Sequence, residues 1–279
     1  MESFRGFCKR LSRNRLAVAG ALIFASVLAL AAIAPWISRY QPEAMSLASR
    51  LKPPSKDHLF GTDEMGRDVL TRVLYGARIS LSMAFSGVLI GGTIGTIVGL
   101  VAGYGGGRFD SIAMRVMDVT LAFPSILQAI LIITVLGPGL QSVVVAIAIF
   151  CIPVYSRTVR GAVLSLKEME YVEAARAIGR TETGIMFRHV LPNALPLLIV
   201  QTSLMLANAM LVASSLSFIG LGAQPPTPEW GAMLASSRAY LRTAPWVSIF
   251  PGLAITISVL GLNLLGDGLR DLLDPRLRQ

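Results

Sequence analysis

The sequence predicts an all-α membrane protein of six transmembrane helices, with both termini on the cytoplasmic side. Composition is the first reason: 53% of the 279 residues are hydrophobic and only 15% are charged, where a soluble domain carries about 25% charge. The second is the grouping of the charges into short segments between long uncharged runs, each of a length that suits a bilayer span of about 20 residues. The third is the placement of the basic residues. The formal net charge of +9 would suggest nucleic acid in a soluble chain, but here topology accounts for it.

The first element follows the basic cluster Arg5, Lys9, Arg10, Arg13 and Arg15, after which residues 16–38 carry no charge. Ala32-Ile33-Ala34 resembles a signal cleavage site, yet the apolar run exceeds the roughly 7–15 residues of a signal core, so it reads as a retained helix. Residues 37–78 are polar and broken by Pro42, Pro53 and Pro54. Thr62 or Asp63 is placed to cap a new helix. Val69, Leu70, Val73 and Leu74 then share one face and Arg67, Arg72 and Arg78 the rest, which predicts an interfacial helix feeding the next span. Asp63, Glu64 and Asp68 alternate with arginines, so caps and ion pairs explain them better than a metal ion does.

Residues 79–107 are uncharged and hold the strongest packing signal. Gly87, Gly91, Gly95, Gly99, Gly103 and Gly107 recur at every fourth position, a spacing that lets two helix backbones approach closely in lipid. Arg108 and Asp110 predict a short turn, and Arg115 and Asp118 the start of the next span. The 38 uncharged residues from Val119 to Ser156 are too many for one crossing at about 1.5 Å per residue. Gly137-Pro138-Gly139 divides them into a helical hairpin.

The segment from Glu168 through Gly179 to Leu191-Pro192 is long, polar and charge-rich. Tyr171, Ala174, Ala175 and Ile178 recur at i, i+3, i+4 and i+7, an amphipathic helical stripe with small residues at its centre. Glu170, Glu173, Arg176 and Arg180 share a neighbouring face at pairing distance. Gly179 is placed to stop the helix, and a second short helix is expected before Pro192. Ala194–Phe218 predicts a span, the proline-rich stretch 220–231 a rigid loop, residues 243–266 the last span, and the remainder a charged tail. With the N-terminus inside, 16 of the 25 Lys and Arg residues fall on the cytoplasmic side and 9 on the other, in line with the positive-inside rule.

Chemistry is sparse. No Gly-x-x-x-x-Gly-Lys-Ser/Thr phosphate loop occurs, so no cofactor is expected in this chain. His58 and His189 are the only histidines, and Cys8 and Cys151 have no neighbour at metal-ligand spacing. The spans lack charge at mid-depth, whereas ion-driven carriers use ionisable groups or broken helices there. Gln128, Thr134, Gln201, Asn208, Ser214, Ser215, Ser258 and Asn263 are read as helix–helix hydrogen bonds. The chain therefore crosses a membrane without an engine of its own and presents a structured cytoplasmic segment to another protein.

Glu173-Ala-Ala-Arg-Ala-Ile-Gly179, followed by Leu191-Pro192, resembles the EAA loop of bacterial ABC-importer permeases. The stretches Phe60–Asp68, Gly76–Ser80, Ala223–Gly231 and Gly266–Pro275 extend the likeness to the dipeptide/oligopeptide (and nickel) permeases, C-type subunit of a heterodimeric pair. The resemblance implies the type I importer fold, with residues 1–78 holding the N-terminus, first span and periplasmic segment. Residues 79–279 would form a five-helix core whose coupling loop spans about 160–192. It implies an inner-membrane location and non-enzymatic function. Its partners would be a second homologous permease, two ATPase subunits that bind the ATP and magnesium, and an extracytoplasmic substrate-binding protein. Tyr171, Glu173, Ala174, Ala175, Gly179, Leu191 and Pro192 would dock the ATPase, with Gln224, Glu229 and Trp230 as candidate contacts for the binding protein. Transport would proceed by alternating access. A related permease for a nickel chelate, glutathione or another small solute is the alternative within the class, and a stand-alone channel or ion-coupled carrier the alternative outside it.

Overall fold

In the computed structural model residues 14–273 are described; the basic cluster at 5–13, Cys8 and positions 274–279 lie outside the described residues. Nine α-helices occur among the described residues: α1 (Arg15–Ile37), α2 (Val69–Gly105), α3 (Gly107–Ala122), α4 (Ser125–Leu136), α5 (Leu140–Leu166), α6 (Glu170–Ala177), α7 (Glu182–Phe218), α8 (Trp230–Ser237) and α9 (Trp246–Leu273). Five of them, α1, α2, α5, α7 and α9, are long and apolar enough to cross a membrane. The count reaches six when α3 and α4, bent by 95° at Phe123-Pro124, form one broken span. The start of α1 and the end of α9 lie together, where the Asn14 side chain donates to the Gly268 carbonyl at 3.3 Å.

The expected interfacial helix at 69–78 does not exist as a separate element. α2 runs unbroken for 37 residues, about 55 Å, so the division placed at position 78 falls inside it. Its cap is Asp68, which accepts from the Thr71 amide at 2.8 Å; Thr62 and Asp63 serve the preceding loop. Arg72 turns inward, 5% exposed, because it finds partners there. Its guanidinium donates to the Pro42 carbonyl at 2.9 Å and the Pro226 carbonyl at 3.2 Å, and Asp63 lies 3.5 Å away. A buried charge is tolerated when it is paired and hydrogen-bonded in this way. Asp63 also binds Arg67 at 2.6 Å, Arg67 binds Glu64 at 3.0 Å, and His58 binds Asp68 at 2.9 Å. The three carboxylates of this stretch thus act as caps and ion pairs.

The α2–α5 contact organises the bundle. An added Cβ at Gly95 would stand 2.5 Å from the Ile152 carbonyl oxygen, one at Gly87 2.5 Å from the Ile147 side chain, and one at Gly91 2.6 Å from the Cys151 Cβ. Gly99 faces the Ser156 backbone and Gly103 the Arg160 backbone, while Gly107 meets nothing. A second close approach has no such regular spacing: Gly20 of α1 and Gly261 and Gly268 of α9 bring these two helices into backbone contact. On the other end of α2, Trp230 lies over Gly76, 2% exposed, and donates from Nε1 to the Val73 carbonyl at 2.9 Å.

Other boundaries shift for local reasons. Arg108 and Asp110 sit in the first turn of α3 rather than in a loop, and Arg115 and Asp118 lie within that helix. The unforeseen break at Phe123 (φ −90°, ψ 138°) follows from Pro124, whose ring disfavours the helical region for the residue before it. Gly137–Gly139 turns the chain into α5 as expected. α7 continues through Pro192, because a π turn at Met186–Val190 precedes the proline and widens the ladder where its missing N–H falls. α9 begins at Trp246 and absorbs Asp267, Arg270 and Asp271 of the expected tail.

Candidate functional site

The charged segment between α5 and α7 folds as a compact bracket. α5 ends at Leu166 with Lys167 as its cap, a short link leads to α6, and the chain then reverses into α7. Glu170 and Glu173 lie in the first turn of α6 and Arg176 in the last, each sign complementing the helix dipole. The reversal is a Schellman motif. The Arg180 amide donates to the Ala175 carbonyl at 3.2 Å and the Gly179 amide to the Arg176 carbonyl at 3.0 Å. Gly179 adopts φ 81° there, a left-handed value that side chains with a Cβ resist. Thr181 then caps α7, accepting from the Gly184 amide at 3.2 Å.

The buried face of α6 differs from the stripe expected. Val172 and Ala175 enter the core with Val163, Ile185 and Val190. Tyr171, Ala174 and Ile178 point outward, Ile178 being 76% exposed. One residue of the predicted face packs inside, and the remainder is an outward apolar stripe; Met169 and Phe187 of the same segment are also about half exposed. Such a patch on a charged segment marks an interaction surface. Glu173 and Gly179 are exposed beside it. Leu191 is half-buried against the core and Pro192 is exposed at the start of the straight part of α7.

The expected pairing of Glu170 and Glu173 with Arg176 and Arg180 is replaced by a longer-range tie. Arg176 of α6 binds Glu182 of α7 at 3.2 Å and reaches the Tyr104 hydroxyl of α2 at 3.4 Å. Tyr104 in turn donates to Glu182. Tyr104 first, then Glu182, holds the Arg176 guanidinium above its usual range. Nearby, Arg160 of α5 forks onto Asp110 of α3, its NH2 group at 2.6 Å from Oδ2. The bracket is therefore fastened to α2 and α7, and α5 to α3. These fastenings join residues 72 and 50 positions apart, and no local spacing announces them.

A cleft of about 490 Å³ opens between α2, α5 and α7. Ser86, Thr93 and Thr96 line it beside Tyr155, whose hydroxyl donates to Thr202 at 2.8 Å. Of the polar residues read as helix–helix links, Thr134, Ser215 and Ser258 instead donate to carbonyls of their own helices. Gln128 crosses the α3–α4 bend to the Phe123 and Thr120 carbonyls.

The candidate binding-protein contacts divide. Gln224 is exposed, with its amide held by the Gly220 and Gly222 carbonyls. Glu229 and Trp230 are interior, 0% and 2% exposed, which corrects their reading as surface contacts. Glu229 caps α8 through the Ala232 amide at 2.8 Å and accepts from Ser80 at 3.0 Å. Burial pushes its carboxyl upward, against the hydrogen bonds from Gly231, Ala232, Ser217 and Ser80.

Residues 95–279 match the family described as binding-protein-dependent transport system inner membrane component, and residues 3–54 match the N-terminal TM domain of oligopeptide transport permease C. The dipeptide transport system permease protein DppC of Alkalihalophilus pseudofirmus is 47% identical over 278 residues, 100% of this chain and 91% of the relative. The glutathione transport system permease protein GsiD of Pectobacterium atrosepticum is 47% identical over 276 residues, covering 99% and 92%. Among solved structures, an inward-facing MetNI methionine ABC transporter chain superposes with a TM-score of 0.59 at 22% identity, covering 74% of this chain and 98% of that one. That likeness is one of fold.

Proposed function

The chain belongs to the family of binding-protein-dependent transport system inner membrane components, and from that premise we propose that it is a permease subunit of an ATP-driven importer of short peptides in the bacterial inner membrane. The substrate class is supported by the relatives named for dipeptide and for glutathione, itself a tripeptide, each 47% identical along nearly the whole chain. In this reading the bracket around α6 receives a separate ATPase subunit, and the cleft between α2, α5 and α7 faces a second, homologous permease. A binding protein delivers solute on the opposite side.

The observation that carries the proposal is the outward apolar patch of Tyr171, Ala174 and Ile178 on a helix tied to two spans at once. A partner that grips the patch and moves also moves α2 and α7 through Tyr104, Arg176 and Glu182. The glycine contact makes α5 follow α2 as one body, so a displacement at the bracket becomes a rearrangement of the cleft wall. Alternating access then follows from rigid-body rotation driven by closure of the ATPase pair. The hydroxyls of Ser86, Thr93 and Thr96 offer a neutral lining, which suits peptides of varied charge and leaves selection to the binding protein.

Reconstitution tests it. The chain is placed in proteoliposomes with its partner permease, ATPases and binding protein, and uptake of labelled dialanine and glutathione is followed. Uptake that needs both ATP and the binding protein is expected, and the faster solute names the substrate. Solute flux through the chain alone, without ATP, would overturn the reading in favour of a channel or carrier.

A further inference from the structure

A cavity of about 710 Å³ lies between α1, α2 and α9, at the end of α1 that leads into the 38–68 segment. Its volume falls in the range of small-molecule sites, but its shape is that of an amphiphile. Val27, Leu30, Leu74, Leu253 and Ile257 line the deep part, and Ser38, Arg39 and Asp57 stand at the mouth. From Val27 to Ser38 the α1 wall rises about 16 Å; Asp68, paired with His58, and Thr71 at the start of α2 also line the cavity. Trp36, 80% exposed, and Tyr40 lie at the Ser38 end, the aromatic signature of the membrane–water interface. The Ser38 hydroxyl is buried and has no hydrogen-bond partner among the described residues. Arg39 and Asp57 are exposed, and neither joins an ion pair among the described residues.

We propose that this cavity seats one phospholipid of the leaflet beside the 38–68 segment, an acyl chain filling the apolar depth and the headgroup phosphate held by Arg39. Charge complementarity sets the class of occupant. A phosphate accepts from the guanidinium, and the Asp57 carboxylate at the same mouth faces an ammonium group. Phosphatidylethanolamine satisfies both, while phosphatidylglycerol offers Asp57 only neutral hydroxyls. The lipid would sit between α1 and α9 about two turns beyond their glycine contact, toward the Ser38 end of α1.

Native mass spectrometry of the purified transporter complex tests this, after delipidation and return to nanodiscs of equal phosphatidylethanolamine and phosphatidylglycerol. One phosphatidylethanolamine retained per copy of this chain is expected. Leu30→Trp, which fills the cavity, and Arg39→Ala, a surface change that leaves the core intact, should each lower that occupancy at least tenfold. Asp57→Asn should keep a bound lipid and abolish the headgroup preference. Equal retention by wild type and Arg39→Ala, or a wild-type complex that sheds all lipid, would overturn the proposal. Retention of phosphatidylglycerol in preference to phosphatidylethanolamine would overturn the role of Asp57 and with it the choice of occupant.

Discussion

Replacing Gly95 by alanine should loosen the close contact between α2 and α5. The new methyl would stand 2.5 Å from the Ile152 carbonyl oxygen and 2.7 Å from the Tyr155 Cβ. An ordinary contact begins near 3.4 Å, so α2 and α5 must part by about 0.9 Å. A backbone carbonyl cannot swing aside as a side-chain tip can. A gap of that size forfeits a quarter to a half of the dispersion attraction along the seam, and overpacking of this kind costs about 1–3 kcal/mol. Helix propensity returns about 1 kcal/mol, leaving a net loss of about 0–2 kcal/mol against wild type and the full 1–3 kcal/mol against a glycine-to-alanine change that meets nothing. Gly91→Ala meets the Ala148 carbonyl oxygen still more closely, with the Cys151 Cβ at 2.6 Å, and should cost at least as much. The double variant should fall short of the sum, since one separation relieves both clashes and neighbouring sites do not add. Denaturant titration of the purified chain in detergent, with Gly105→Ala as a control that meets nothing within 4 Å, reads these values. A Gly95→Ala protein as stable as the control would refute the packing argument, and strict additivity would refute the shared separation.

The two faces of α6 should separate assembly from folding. Ala174→Arg on the outward face should leave thermal stability unchanged and reduce co-purification with the ATPase subunits at least tenfold, whereas Ala175→Arg, with its side chain 4% exposed, should lower stability itself by about 3 kcal/mol through an unpaired buried charge; the reverse pattern would exchange the roles of the faces. Arg176→Ala cuts the tie to α2 and α7, so ATP hydrolysis by the assembled complex should persist while uptake per ATP falls severalfold, and unchanged coupling would remove the tie from the mechanism. Because burial raises the Glu229 carboxyl above its unfolded value near 4.5, its stabilising contribution is complete below that pH and declines as pH rises through the folded pKa. Wild type should therefore melt at a higher temperature at pH 5 than at pH 8 by a margin that Glu229→Gln reduces, and an unchanged margin would show that Glu229 does not titrate differently on folding.

The spans were legible because apolar runs of bilayer length admit few readings, and the Gly-x-x-x spacing named α2 as a close-packed helix without naming α5. What escaped was whatever depends on a distant partner. Arg72 reads as solvent-facing until the carbonyls of Pro42 and Pro226 arrive to receive it. Glu229 and Trp230 read as loop surface until Ser80 and Val73, about 150 positions earlier, enclose them. The stripe on α6 was found, but periodicity gives a face and not its owner: Ala175 belongs to this chain's core, while Tyr171, Ala174 and Ile178 are left for another. The bend at Phe123 did have a signal, the proline after it, hidden in a run read only for hydropathy. The Gly20–Gly261–Gly268 contact had none, since its glycines come from opposite ends of the chain.

α2 also sets a rule about length. It presents Gly76 to Trp230 at one end, Gly87 to Gly103 to α5 along its middle, and Tyr104 to Arg176 and Glu182 at the other. Those three commitments are phased by a single unbroken ladder, in which one extra residue turns everything beyond it by about 100° and advances it about 1.5 Å. An insertion between Gly76 and Gly87 would thus aim the glycines at lipid and swing Tyr104 off the bracket, with every side chain still present. In loops the chain can tolerate gain and loss of residues; along α2 it has to keep count.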